Sequence, residues 1–489
     1  MRERTLQSRG WPVVGALLLA ACPTRDISSL AVTPAVELKK EIPVATNRNV
    51  DILFVIDNST SMNDKQDTLA ANFPLFINVL NAIQGGLPNV HIGVTSSDVG
   101  VPPFTQEQCT GTGDHGLLQN TPRASDASRC AGSSTTGTCP VPNAGARFIS
   151  DIALPDGTRQ RNYSGSLADV FTCIARLGTC GCGFEHHLEG MKQALDGSNP
   201  QNAGFLRDDA YLAVIILGDE DDCSARDTQV FDPNPQLDNV SSIYGPNASY
   251  RCTEFGVLCN GAPIPRVAAD YTSCEPRGDS YLWHPQHYVD FLRALKGDPN
   301  LLIGAAIVGN ATPFGVTIDA MGAPELKHSC SFTINGHDQV ADPGVRQKYF
   351  IDQFGTHGKL TSICQSDFSD AMTEIAQLLA RVVGTPCLEG NVASADINPT
   401  EPGLQLDCQV SDVKFPDSAN PTETVIDRCP MKDATTPDTS HVPCWWTDVE
   451  PAVCTIALNS PTHIALHVER GGADAPVGTF VVAKCVGSD

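Results

Sequence analysis

Three short apolar runs, each closed by polar turn residues, place the strongest limit on how this chain folds. They occupy residues 50–56, 211–217 and 301–308. Nearly continuous apolar runs of this length fit central parallel strands buried on both faces. A fourth strand is expected at 90–94, after Pro88. Between the strands the pattern turns helical. Leu69, Phe73, Leu75, Phe76, Val79, Leu80 and Ile83 follow helical spacing within 66–83, with a kink expected at Pro74. Leu188, Met191, Ala194 and Leu195 repeat it, as do 288–295 and two closing segments, 346–354 and 368–383. Strands alternating with helices predict an α/β fold, a doubly wound, mostly parallel sheet of Rossmann-like type.

The 489 residues include 19 cysteines. Where they sit depends on the N-terminus. Arg2, Arg4 and Arg9 precede an apolar run over 11–21, about half of the roughly 20 residues that span a bilayer. The run ends in Leu19-Ala20-Ala21-Cys22, which resembles the bacterial lipobox. That resemblance implies a signal peptide over 1–22, lipidation of Cys22 and a place in the cell envelope, lipid-anchored, with outer-membrane sorting. The alternative is an ordinary secretory signal. Without Cys22 an even eighteen cysteines remain, as an oxidising compartment requires. Cys330 with Cys364, and partners within the final hundred residues, are candidate pairs, although spacing does not fix connectivity.

Residues 23–46, with Pro23, Pro34 and Pro43, read as a tether. The α/β domain is expected over 48–384, interrupted by cysteine-bearing insertions at about 100–165 and 224–280. At 385–489 the texture changes to six cysteines, many prolines and short β-rich runs, among them 462–468 and 479–482, which predict a small β-rich cysteine module. With 56 acidic against 32 basic residues, a formal charge of −24, the surface repels phosphate backbones and nucleic acid is not expected as a partner.

The run at 50–56 leads into Asp57-Asn58-Ser59-Thr60-Ser61 and then a helix. A strand's carboxyl end opens into the crevice where α/β sheets bind ligands. One carboxylate and two hydroxyls spaced by two suit a hard cation such as Mg²⁺. With Asp57 the one charge among the three, such an ion stays electrophilic and keeps a place open for a partner's carboxylate.

This segment resembles the metal-ion-dependent adhesion site of von Willebrand factor A domains. Their later strand-end aspartate is matched by Asp219, after Ala213-Val214-Ile215-Ile216-Leu217-Gly218. The family's threonine loop corresponds to Gly178-Thr179-Cys180-Gly181-Cys182-Gly183-Phe184-Glu185, which departs from the usual pattern. Thr179 or Glu185 then supplies the remaining ligand; Glu185 would add charge and favour Ca²⁺. The resemblance implies one ion (Mg²⁺, or Ca²⁺ or Mn²⁺), no catalysis, and a protein or other acidic ligand held through the metal.

Rival readings of the same residues exist. Ser61 is also a good helix cap. Asp219-Glu220-Asp221-Asp222 also reads as an acidic turn, with Glu220 to Asp222 solvated or in an outer shell. Glu185-His186-His187 lacks the spacing of a zinc helix. Cys173, Cys180 and Cys182 are expected as disulfides rather than metal thiolates. Gly111, Gly113 and Gly116 match a dinucleotide fingerprint but lack its strand and helix. The functional alternatives are a metal-dependent envelope hydrolase, or a structural domain with a degenerate site.

Overall fold

The computed structural model describes residues 37–43, 48–83, 86–106, 108–123, 140–143, 145–154, 158–384, 387–414, 422–450, 454, 460–471 and 479–487. The signal segment with Cys22, and Cys130 and Cys139, lie outside the described residues.

The strands β1 (Glu37–Pro43), β2 (Asn49–Ile56), β3 (Asn89–Ser96), β4 (Ile149–Ala153), β5 (Arg159–Arg161) and β6 (Tyr211–Gly218) come first in the chain. A seven-stranded sheet is ordered Gly358–Ser362, Leu302–Val308, β6, β2, β3, β4, β5. Its first five strands run parallel, and β4 and β5 add antiparallel at the far edge. Seven of the eight residues of β2 and all eight of β6 are buried.

Among the described residues the α-helices are α1 (Asn63–Asn81), α2 (Leu167–Ile174), α3 (His187–Leu195), α4 (Tyr250–Gly256), α5 (Gln286–Lys296), α6 (Val345–Asp352) and α7 (Ser369–Gly384). The period-two alternation of the strands sorts the core into two layers. Ile52, Phe54 and Ile56 join Ala213, Ile215 and Leu217 against apolar side chains of α1, α2 and α7. Leu53 and Val55 face the other way, with Leu212, Val214 and Ile216, onto Leu188, Met191, Tyr288 and Leu292. Phe54, Phe73, Phe76 and Phe171 cluster in the first layer, Phe73 stacking on Phe171 with ring centroids 3.6 Å apart. Burying one such side chain contributes roughly 1.5–3 kcal/mol. α1 runs through Pro74 without a break in the helix.

The expectation of a doubly wound, mostly parallel α/β chain is corrected. Among the described residues, 21 strands in five sheets stand beside seven α-helices, and the sheets are mixed. Only five strands form a parallel run; the others pair antiparallel apart from a two-residue parallel contact between Thr422–Arg428 and Cys444–Val449. The physical reason lies in the segments read as insertions, whose strands are too brief to register as a periodic pattern. The first supplies β4 and β5. The second carries α4 and short strands at Val257–Cys259, Ala262–Pro263, Ala269–Tyr271 and Cys274–Pro276.

The C-terminal region contributes five strands to a six-stranded sheet, and the sixth is β1, which pairs antiparallel with Thr479–Val486. Part of the expected tether is thus a strand. Disulfides join Cys109–Cys182, Cys223–Cys252, Cys259–Cys274, Cys330–Cys364, Cys387–Cys454, Cys408–Cys485 and Cys429–Cys444. Cys173 and Cys180 are disulfide-bonded too. The Cys330–Cys364 pair is the expected one, and the last three close within the final hundred residues. No described helix is long and apolar enough to cross a membrane.

Candidate functional site

Register brings the two expected aspartates together. Ile56 pairs with Leu217 as the last partners of β2 and β6, and the Asp57 N–H donates to the Leu217 carbonyl at 2.9 Å. Asp57 is fully buried. Its Oδ1 accepts the Ser59 N–H at 2.7 Å and the Ser97 hydroxyl at 3.4 Å, while Oδ2 is buried with no partner among the described residues. Burial, and then the neighbouring Asp219, push its carboxyl up to about 7.

Neither serine caps a helix through its side chain. Ser59 precedes a short 3-10 turn (Thr60–Met62) without a capping bond, and Met62 stands at the head of α1. The Ser61 hydroxyl instead donates to Asp219 Oδ1 at 3.0 Å and lies 3.2 Å from the Ser59 hydroxyl. Asp57, Ser59, Ser61 and Asp219 therefore converge; spacing pointed to the first three, and the family resemblance added Asp219.

The loop carrying Thr179 and Glu185 is fastened beside them. Gln66 on α1 donates to the carbonyls of Asp57 and Gly178, the Gly181 N–H to Asn58, and the His186 N–H to Ser97. A Cβ at Gly181 would meet Asn58 Oδ1 at 2.1 Å, so only glycine permits that approach. Thr179 is buried there. Glu185 is 1% exposed and its Oε1 has no partner among the described residues. Burial, then Glu220 and Asp57, hold its carboxyl well above the usual range. The buried His186 and His187 are each pushed down to about 4 by burial.

Each member of the acidic run has its own surroundings. Asp222 accepts the buried Arg346 guanidinium at 3.0 Å, the Leu188 N–H and the Ser224 hydroxyl. Asp221 accepts the Arg346 and Gln347 N–H groups at the start of α6. Glu220 lines a cavity of about 270 Å³ with Glu185, Glu325, His328 and Asp342. Burial, then Asp342 and Asp219, raise its carboxyl well above its ordinary value.

Sequence reasoning missed Lys65. Its ammonium donates to Asp219 Oδ2 at 2.7 Å, the Ser61 carbonyl at 3.0 Å and Gln339 Oε1 at 2.8 Å. The available signal was its position four residues after Ser61, one helical turn on. A second cluster, Asp448, Glu450 and His467, sits in the C-terminal sheet, where His467 Nε2 lies 2.8 and 3.2 Å from the two carboxylates.

A divalent cation fits the first cluster. A buried carboxylate oxygen without a partner, a second carboxylate and two hydroxyls form an all-oxygen donor set suited to a hard ion.

No protein-family model matches the chain, and no curated protein matches it. Solved structures that overlap it faintly include three adhesive pilus proteins. A pilus adhesin from Lactobacillus rhamnosus GG, in an open conformation, has 10% identity and a TM-score of 0.29, covering 92% of this chain and 42% of the adhesin. A pilus adhesin from Streptococcus pneumoniae has 8% identity and a TM-score of 0.27, covering 93% of this chain and 59% of the other. An adhesive tip pilin from Group B Streptococcus agalactiae has 10% identity and a TM-score of 0.26, covering 93% and 82%. The chain thus spans about half the length of the first two. Overlap this shallow defines neither a family nor a ligand.

Proposed function

We propose that this protein is a lipid-anchored envelope protein, of the outer membrane, that binds a protein or other acidic ligand through one divalent cation at an adhesion-type site. Asp57, Ser59, Ser61 and Asp219 hold the ion, and Thr179 and Glu185 lie in the loop beside it. The observation that carries the reading is the Asp57 carboxylate, wholly buried with Oδ2 unpartnered among the described residues, at the end of a central strand. Burying such a group without compensation costs several kcal/mol, so a cation there has a physical reason to stay.

When bound, the ion supplies an electrophilic centre for a partner's carboxylate oxygen. The chain's own residues orient it. The Ser59 N–H fixes the Asp57 rotamer, Ser61 ties the turn to Asp219, and Lys65 offsets part of the Asp219 charge. This is binding chemistry rather than catalysis.

Titrating Mg²⁺ calorimetrically into wild type and Asp57→Ala tests the site. Binding by wild type alone is expected, and equal binding by both removes the assignment. For the anchor, Cys22→Ser is expected to free the protein from membranes, and continued membrane association contradicts it.

A further inference from the structure

In the C-terminal sheet, sharing no residue with the Asp57 cluster, Asp448, Glu450 and His467 face one another. Strand register puts them there. The strands Cys444–Val449 and Ile464–Glu469 pair antiparallel with Trp446 opposite His467. Asp448 and Glu450 follow Trp446 at steps of two, so they share the face of the sheet that carries His467. The Glu450 N–H donates to the His463 carbonyl at 2.8 Å, which carries the ladder one residue past the strand end. The His467 ring stacks on Trp446, with centroids 4.8 Å apart and planes inclined by 16°, and this fixes the plane of the imidazole. Its Nε2 lies 2.8 Å from Asp448 Oδ1 and 3.2 Å from Glu450 Oε1.

Hydrogen bonding alone leaves this contact unbalanced. One ring nitrogen carries at most one proton, and here it faces two carboxylates. The carboxylates repel each other, and neither has a lysine or arginine partner among the described residues. A divalent cation between the three side chains compensates both. Ligand atoms bound about 2.0–2.2 Å from a tetrahedral Zn²⁺ stand roughly 3.4 Å from one another. Separations of 2.8 and 3.2 Å fall just short of that spacing, so small rotations of the two carboxylates admit the ion. Among the described residues, these are the one set of three His, Cys, Asp or Glu side chains whose ligand atoms all lie within 4.8 Å of one another.

We propose that Asp448, Glu450 and His467 form a Zn²⁺ site, distinct from the ion at Asp57. An imidazole nitrogen with two carboxylates is a donor set that suits Zn²⁺ better than Mg²⁺, whereas the all-oxygen set at Asp57 suits Mg²⁺. Three protein ligands leave the fourth tetrahedral place to water, and Glu450, 28% exposed, stands on the open side. The ion ties the end of Cys444–Val449 to Ile464–Glu469, just before the chain reaches Cys454 and its disulfide to Cys387. No ligand is shared with the Asp57 site, so either site stands without the other.

The test strips the full chain with EDTA, brings it into saturating MgCl₂ to fill the Asp57 site, and titrates ZnCl₂ by calorimetry. Wild type is expected to take up one Zn²⁺. His467→Gln and Glu450→Gln are each expected to weaken that uptake by at least about tenfold, since losing even an outer partner of a ligand costs that much. Asp57→Asn is expected to leave it unchanged. If His467→Gln, which gives up the stack on Trp446, fails to fold by circular dichroism, Glu450→Gln at the partly exposed strand end carries the test. No Zn²⁺ uptake by wild type, or uptake by Glu450→Gln as tight as by wild type, overturns the inference. Zn²⁺ uptake lost in Asp57→Asn instead also overturns it. If wild type takes up Mg²⁺ through Asp57 but no Zn²⁺, the Asp57 reading survives alone. If it takes up Zn²⁺ through His467 and Glu450 but no Mg²⁺, the zinc site stands and the Asp57 reading is removed.

Discussion

The Lys65 ammonium lies 2.7 Å from Asp219 Oδ2, and both side chains are almost wholly buried. Removing one partner of such a pair strands the other charge, at a cost of about 3–5 kcal/mol. Lys65→Met, which keeps most of the volume, is expected to unfold at a markedly lower temperature in EDTA. It should also bind Mg²⁺ more tightly, because the ion no longer shares Asp219 with an ammonium. Thermal unfolding with EDTA and with saturating Mg²⁺ reads both effects as a wider gap between the two curves than wild type gives. An unchanged melting point in EDTA contradicts the role assigned to Lys65.

His91 on β3 makes acid stability measurable. Its Nδ1 donates to the Phe205 carbonyl at 2.8 Å, and burial pushes its pKa from 6.5 down to about 4. The unfolded chain therefore binds more protons between pH 6.5 and 4, so this residue's stabilisation is lost as the pH falls through that window. The full loss is on the order of 3 kcal/mol. Asp51, 3.6 Å away and paired with Arg207, is raised to about 6 by burial and acts with the opposite sign, losing stability as pH rises from 3.8. Comparing wild type with His91→Gln cancels most of the Asp51 effect. The stability gap is expected to shrink as the pH drops from 6.5 to 4, followed by urea unfolding at each pH. Parallel curves contradict this.

What was legible in the sequence was local. Strands buried on both faces leave a one-dimensional pattern, so β2 and β6 were legible from spacing, Asp57 from the turn motif after β2, and Asp219 only through the family resemblance. The architecture of the whole chain was not. β1 reads Glu-Leu-Lys-Lys-Glu-Ile-Pro, an edge strand with too little alternation to separate it from a tether. Part of the Lys65 setting comes from the hairpin of Cys330–Ile334 and His337–Ala341, which brings Gln339 against its ammonium from far along the chain. Glu185, Glu220 and Asp342 line one cavity from segments spread over more than a hundred residues of chain, which no local spacing encodes.

That hairpin is held by the Cys330–Cys364 disulfide, which closes a separation of 34 residues next to the strand Gly358–Ser362. A loop of this length gives a cross-link worth about 2–4 kcal/mol. The hairpin also reaches α1 through His337, whose Nδ1 is 2.8 Å from Asp64 Oδ2. Cys330→Ala with Cys364→Ala is expected to destabilise by that amount and to expose 330–341 to limited proteolysis first. Cleavage beginning elsewhere, with unchanged stability, contradicts the hairpin's dependence on the bond.

Gly218, the last residue of β6, is a tight point beside the proposed ion. A Cβ there would lie 2.3 Å from His187 Nε2 and 2.8 Å from Cε1. The ring has no easy retreat, since His187 is fully buried and Gln347 Nε2 lies 3.3 Å from its Nδ1. The strand cannot shift sideways either, because Gly218 sits in register with Val308. Gly218→Ala is thus expected to cost about 1–3 kcal/mol by overpacking. Because Asp219 and Glu220 follow directly, the displaced strand end should weaken cation binding by about tenfold, which corresponds to 1.4 kcal/mol. Gly183→Ala is the control: its added methyl meets nothing within 4 Å, so stability should stay within about 0.5 kcal/mol of wild type. Melting temperatures and Mg²⁺ titrations on the two variants decide the matter. Equal behaviour of the two would mean that contact between His187 and the strand end does not set the position of Asp219.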